Sequence, residues 1–148
     1  MLLLLEGIQD PHNLGACLRS AEALGVDWVI LPKNNSAPLN ATVSKVSCGA
    51  DQTLSIVLAS NFARFIKEIQ QRGVWVVGTA LSATQTLASM DLKRSTALIM
   101  GTEETGLKQL TEQSCDDLAI IPLSGNTASL NVSVATGICL YEVARQRS

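Results

Sequence analysis

The sequence predicts an α/β domain with a mostly parallel β-sheet and helices on both of its faces. Three observations carry that expectation. Short apolar runs alternate with longer stretches whose apolar residues recur at helical spacing. Several of the short runs are apolar throughout rather than at every second residue, which is how strands read when both faces are covered. The length, 148 residues, fits one domain and leaves little room for two.

In chain order, Leu2 to Leu5 is the first strand, ended by Glu6. Leu14, Cys17, Leu18, Ala21 and Leu24 form a helical stripe closed by Gly25. Trp28 to Leu31 is a strand, and the proline- and asparagine-bearing stretch Lys33 to Asn40 is a loop. Leu54 to Leu58 is the next strand. Phe62, Phe65, Ile66 and Ile69 mark a second helix, closed by Gly73. Val74 to Val77, Ala97 to Met100 and Leu118 to Ile121 are further strands, with a helix from about Leu107 to Gln113 before the last of them. A final helix covers Ser129 to about Gln146.

Composition removes several function classes. Hydrophobic residues make up 47% and charged residues 16%, which excludes a disordered chain. Eleven Lys+Arg against 13 Asp+Glu gives a net charge of −2, which argues against gripping nucleic acid by bulk positive charge. Aromatics are only 3%, too few for a base-stacking platform. The opening apolar run is far short of the roughly 20 residues that span a bilayer, and no basic segment precedes it as in a signal peptide. Cys17, Cys48, Cys115 and Cys139 are scattered without CxxC spacing, and His12 is the only histidine. No metal site is expected, and the thiols are expected to be buried and reduced. Beginning directly on a strand, the chain reads as an excised domain or a minimal protein.

Ligands of open α/β sheets sit beyond the carboxyl ends of the strands, so the residues after each predicted strand are the ones to search. The first such stretch is GIQDPHNLGACLRSAEALG, Gly7 to Gly25. Asp10-Pro11 makes a turn, and Asn13 is placed to cap the helix or to offer its amide at the sheet edge. Arg19 lies off the apolar stripe. It either pairs with Glu22 on the surface or contacts a phosphate or carboxylate.

The second stretch is MGTEETGL, Met100 to Leu107. Gly101 permits close backbone approach. Glu103 and Glu104 sit where a loop meets a helix N-terminus, which favours carboxylates for capping alone. Neither GxxxxGK[ST] nor GxGxxG is present. The third stretch is IPLSGNTASLNVSVATGICLYE, Ile121 to Glu142. Pro122 and Gly125 open a polar loop, and Ser129 and Asn131 stand at the mouth of a helix that is apolar nearly all round: Leu130, Val132, Val134, Ala135, Ile138, Cys139, Leu140 and Val143. A helix without a polar face is buried on more than one side. One side covers the sheet; the other needs a partner, most simply a second copy of the chain.

Taken together, the three stretches resemble the SpoU (TrmH-like) branch of the SPOUT RNA methyltransferases. The order and spacing of an Asn…Arg helix, a Gly-x-Glu-x-x-Gly loop and IPxxGxxxSLNVSVAxGI match over almost the whole chain. DPHNLGACLRSAEALGV and LNATVSKVSCGA look most like the branch that methylates a guanosine ribose of large-subunit (23S) ribosomal RNA. The resemblance implies an α/β knot whose C-terminal segment threads a loop to make a deep trefoil. It implies S-adenosylmethionine as methyl donor, RNA as substrate, a cytoplasmic enzyme, and a homodimer with its active sites at the interface. Residue by residue, Asn13 and Arg19 match the first motif, Glu103 the second, and Ser129 and Asn131 the third. Gly101, Ile121 and Leu130 match backbone positions that hold the adenosine. Glu104 stands where relatives often carry glycine, and its side chain is expected to narrow the pocket or move the loop.

The implied reaction displaces the sulfonium methyl with a ribose 2′-hydroxyl. Arg19 is then expected to aid electrostatically, because arginine almost never deprotonates. Ser129 and Asn131 would orient the ribose or hold the motif loops, and Glu103 would fix Arg19 or Asn13. Transfer RNA as substrate, a knot domain that binds without catalysis, and a generic nucleotide-binding α/β protein are the competing readings. Lys33, Lys45, Arg145 and Arg147 are the candidates for phosphate contacts. With so few cations, weak RNA binding is expected of these 148 residues alone, with an N-terminal RNA-binding domain, absent from this chain, or the dimer supplying the rest.

Overall fold

The apolar runs become the strands of one sheet. The computed structural model describes residues 1–148. In chain order its strands are β1 (Leu2–Leu5), β2 (Trp28–Pro32), β3 (Ser55–Ala59), β4 (Trp75–Thr79), β5 (Gln85–Thr86), β6 (Thr96–Met100) and β7 (Asp117–Ile120). The sheet order is β3-β2-β1-β6-β4-β7-β5, and every pairing is parallel. The helices are α1 (Pro11–Ala23), α2 (Ala41–Val46), α3 (Ala50–Thr53), α4 (Phe62–Gln71), α5 (Gln109–Ser114) and α6 (Val132–Arg147).

Both sheet faces are covered, which explains why the runs do not alternate. Leu3, Leu5, Val29, Leu31, Val77 and Leu98 point into the larger core, against α1, α2, α3 and α6. Leu4, Ile30, Val76, Ala97 and Ile99 point the other way, against Phe62, Ile66 and Ile69 of α4. Neighbours in one strand thus feed opposite cores. Full burial of each such leucine or isoleucine contributes about 1.5–3 kcal/mol.

The helix ends follow local rules, with one departure from expectation. Asp10, not Asn13, caps α1: its side chain accepts the His12 N–H at 2.9 Å, and Pro11 takes the first helical position. Asn13 is therefore inside the first turn, and its amide is free for another partner. Asn61 caps α4 and Asn131 caps α6, so α6 begins at Val132, and Ser129 and Leu130 lie in the extended stretch before it. The short α2 and α3 and the two-residue β5 carry no periodicity to read; Asn40, which caps α2, is their only local signal. No helix is long and apolar enough to cross a membrane.

The expectation of buried thiols holds at Cys17 and Cys139 and fails at Cys48, which is exposed at φ 55° between α2 and α3; Cys115 is half-buried. Burial pushes the Cys17 thiol up to about 11 and those of Cys115 and Cys139 up to about 12. Only thiolate reacts readily. Titration with a thiol reagent at pH 8 is expected to modify Cys48 alone in the native protein and all four cysteines in denaturant. Rapid native reaction at a second site would contradict this burial. The same shifts oppose folding progressively above about pH 8.5, where unfolded thiols ionise and the buried ones do not.

Candidate active site

The carboxyl ends of β4, β6 and β7, with the stretch leading into α6, enclose a cavity of about 220 Å³. Its walls are Thr79 to Ser82, Met100 to Leu107, Glu112, Ala119 to Ile121, Leu123, and Ser129 with Leu130, Val132 and Ala135. The wall after β6 is a tight loop. Thr102 and Gly106 exchange backbone hydrogen bonds at 3.2 and 2.9 Å, and the hydroxyls of Thr102 and Thr105 lie 2.7 Å apart. Gly101 is required for this closure: a Cβ there would lie 2.3 Å from the Gly106 carbonyl carbon. Gly101→Ala is expected to force the loop apart and cost about 1–3 kcal/mol by overpacking, read as a lower urea midpoint. An unchanged midpoint would mean that the loop yields freely.

The three sequence motifs meet at the rim of this cavity. The Asn131 side-chain N–H₂ donates to Asn13 Oδ1 and to Glu103 Oε1, both at 3.0 Å. The same Glu103 oxygen accepts the Val132 backbone N–H at 3.0 Å. Asn131 Oδ1 accepts from the Ser133 N–H at 2.9 Å and its hydroxyl at 2.5 Å. Asn131 is thus both the cap of α6 and the tie between α1, the β6 loop and α6. The expected contact of Glu103 with Arg19 is not formed; Glu103 holds Asn131 and the α6 backbone, and reaches Asn13 only through Asn131.

Ser129 and the backbone of Gly101, Ile121 and Leu130 line the cavity. These three residues lie outside the helices and strands, and their backbone N–H and C=O groups bond to no other group of the chain. A cavity whose lining is about half apolar, with free backbone amides and carbonyls on its walls, suits a flat heterocycle with polar edges. Glu104 is exposed and is one of the residues lining the mouth of the cavity. Thr79 to Ser82 is a wall that no motif marked, although it follows a predicted strand and so falls where ligands of such sheets bind.

Arg19 is exposed, its guanidinium forms neither the ion pair with Glu22 nor any other hydrogen bond within the chain, and it does not line the cavity. Lys33 and Lys45 are also exposed and unpaired. The two tail arginines are engaged. Arg145 bonds Glu142 at 2.8 and 2.9 Å and holds that carboxyl down at about 2. Arg147 donates to the carbonyls of Leu92 and Arg94 at 2.8 and 2.7 Å. They are poor candidates for phosphate contacts.

An all-parallel α/β sheet with a rimmed cavity at its carboxyl edge is the architecture of the SpoU-type methyltransferases. The chain superposes with a TM-score of 0.91 on the SpoU methyltransferase AviRb from Streptomyces viridochromogenes in complex with AdoMet, at 27% identity over 99% of this chain and 60% of that one. An AdoMet-bound rRNA methyltransferase from Sinorhizobium meliloti matches with a TM-score of 0.90 and 33% identity over 97% and 55%. The chain belongs to the SpoU rRNA Methylase family, which it matches over residues 1–141. It is 56% identical to the 23S rRNA (guanosine-2′-O-)-methyltransferase RlmB of Pseudomonas aeruginosa over all of this chain. Its identity to the protein of that name from Escherichia coli K12 is 52% over 99%. The chain spans 60% of the length of each of these two relatives.

Proposed function

We propose that this chain is the catalytic domain of a cytoplasmic, S-adenosylmethionine-dependent methyltransferase that methylates the ribose 2′-hydroxyl of a guanosine in 23S ribosomal RNA. The observation that carries the proposal is the junction at Asn131, which ties the three motifs together at the rim of the cavity. The substrate follows from relatives of that name that are 52–56% identical to this chain, and the donor from neighbours solved with AdoMet.

The residues present fit the donor. The free backbone groups of Gly101, Ile121 and Leu130 would hold its adenosine part, and the apolar residues of the lining, Met100, Leu107, Ile121 and Leu130 among them, would pack against it. S-adenosylmethionine supplies a methyl group that is already activated, so the protein needs mainly to align three atoms and ease the loss of one proton. Ser129 and Asn131 orient the ribose, and Glu103 keeps Asn131 in place. Arg19 holds the nucleotide phosphate and stabilises charge developing on the 2′-oxygen. No step is assigned to a metal.

A homodimer completes the site. One face of α6 (Val132, Thr136, Cys139, Leu140, Val143) is buried against the chain's own core. The opposite face leaves Val134, Ile138 and Tyr141 at 52%, 44% and 60% exposure. Leu140, which the all-round apolar pattern assigned to neither side, belongs to the inner face. Arg19, which does not line its own cavity, would serve that of the second protomer.

A deep trefoil knot is part of the same reading. Two features support it: β7 enters the sheet between β4 and the earlier β5, and segment 92–94 is fastened across the end of α6 through Gln146 and Arg147. The deciding experiment is transfer of labelled methyl from S-adenosylmethionine to unmodified 23S ribosomal RNA, with transfer RNA alongside. Label on guanosine 2′-oxygen of the ribosomal RNA is expected. Label only on transfer RNA would move the substrate, and label on neither would overturn the enzymatic reading.

A further inference from the structure

Glu6 is the only charged side chain buried in the core, at 5% exposure. In the sequence it merely closes the apolar run of β1. In the fold it has three hydrogen bonds, and all of them lead to the loop that walls the cavity. Its Oε2 accepts the backbone N–H of Lys108 at 2.9 Å, and its Oε1 accepts the Thr111 hydroxyl at 2.5 Å. Its own backbone N–H donates to the Met100 carbonyl at 2.9 Å. Met100 and Lys108 bracket the loop 101–107, so one residue grips both stems. The next residue, Gly7, continues the contact: at φ 76° it faces the loop, and a Cβ there would come 3.1 Å from the Thr102 methyl.

A buried carboxylate is costly unless its oxygens are bonded. A leucine would fill the space at lower desolvation cost, but it would leave the Lys108 N–H and the Thr111 hydroxyl without partners. What the acid adds is therefore geometry. We infer that Glu6 is a positioning residue of the donor site: by tying Lys108 and Thr111 to the end of β1, it sets the separation of the loop stems and with it the shape of the cavity wall. The inference rests on the reading of that cavity as the S-adenosylmethionine site.

Two variants test it in the full chain. Glu6→Ala removes both side-chain bonds. Glu6→Gln keeps them in neutral form, since its carbonyl can accept from Lys108 while its amide donates to the Thr111 oxygen. By isothermal calorimetry, Glu6→Ala is expected to weaken S-adenosylmethionine binding about tenfold and Glu6→Gln to restore most of it. Irreversibly unfolded protein lowers the stoichiometry and not the affinity, and a variant that far-UV circular dichroism shows to be more than nine-tenths folded keeps its apparent Kd within about 10%, so a merely structural role leaves Kd in place. In turnover, KM for the donor rises while kcat at saturating donor and KM for RNA stay within about twofold. Thr111→Val, nearly isosteric, serves if Glu6→Ala does not fold; it is expected to show a smaller loss of the same kind. Donor affinity unchanged in Glu6→Ala and Thr111→Val, or a fall in kcat with unchanged affinity, would overturn the inference. If the wild-type chain binds no S-adenosylmethionine, the methyl-transfer reading fails instead. Amide exchange then decides the role of Glu6: faster exchange across 101–107 in the variants supports it, and unchanged exchange refutes it.

Discussion

Arg19→Ala is expected to lower methyl transfer at least about 100-fold while leaving S-adenosylmethionine affinity within about twofold. The size follows from the role. A preorganised cation beside a developing oxyanion in a water-excluded site is worth about 10²–10³ in rate, and loss of a phosphate contact adds to that. The unchanged donor affinity follows from position, because Arg19 lies outside the cavity walls. Folding is expected to be untouched, since the Arg19 side chain is exposed and bonds nothing in the chain. Lysine keeps the charge but not the forked geometry, so Arg19→Lys is expected to recover only part of the loss. Single-turnover transfer with donor calorimetry on the same preparations separates the two effects. Turnover of Arg19→Ala equal to wild type would remove Arg19 from the mechanism, and a parallel collapse of donor binding would move it into the cofactor site.

The parts of the fold that were legible in the sequence are those where burial dictates composition. β1, β6 and the middle of β2 and β4 stand between two cores, so nearly every residue is apolar and the run announces itself. α1 and α4 end where Gly25 and Gly73 take positive φ. β5, α2 and α3 escaped because two, six and four residues hold fewer than two periods of the strand or helix repeat, too few to show a recurring pattern. The cap of α1 was misplaced by three residues because Asp10 and Asn13 are both good caps, and only the backbone decides between them. That error matters chemically: an Asn13 spent on capping could not accept from Asn131.

The site was legible in a different way. Asn13, Glu103 and Asn131 lie as much as 118 residues apart in the chain, and no periodicity joins them; the family resemblance did. What it left unstated is which of them touch. Glu103 bonds Asn131 and the α6 backbone rather than Arg19. The buried contacts of Glu6 went unnoticed because a lone acid after a strand is an unremarkable signal, and its partners Lys108 and Thr111 are more than 100 residues away. Counting cations likewise overstated how many are unengaged, since Arg147 is bonded to the carbonyls of Leu92 and Arg94.

On the reading that α6 pairs two copies of the chain, Ile138→Asp is expected to give monomers and to abolish turnover while the fold persists. Ile138 lies at the centre of the outer α6 face, between Val134 and Tyr141, and is 44% exposed in the single chain. An aspartate there is solvated in the monomer and unpaired in the dimer, a difference of several kcal/mol that each two-fold contact counts twice. Leu140→Asp makes the contrast: at 2% exposure Leu140 faces the chain's own core, so that change is expected to unfold the protein. Sedimentation with far-UV circular dichroism tells the two apart, and an Ile138→Asp dimer would place the interface elsewhere. Whether turnover needs the dimer itself, and not just its stability, is decided by mixing two inactive variants. Arg19→Ala keeps its cavity, whereas Ala135→Phe fills the cavity from α6 and keeps Arg19. If Arg19 serves the opposite protomer, a mixed dimer regains one working site of two. An equal mixture then recovers about one quarter of wild-type activity, because half of randomly paired dimers are mixed. If Arg19 acts within its own chain, every site lacks either the arginine or the cavity, and the mixture stays inactive.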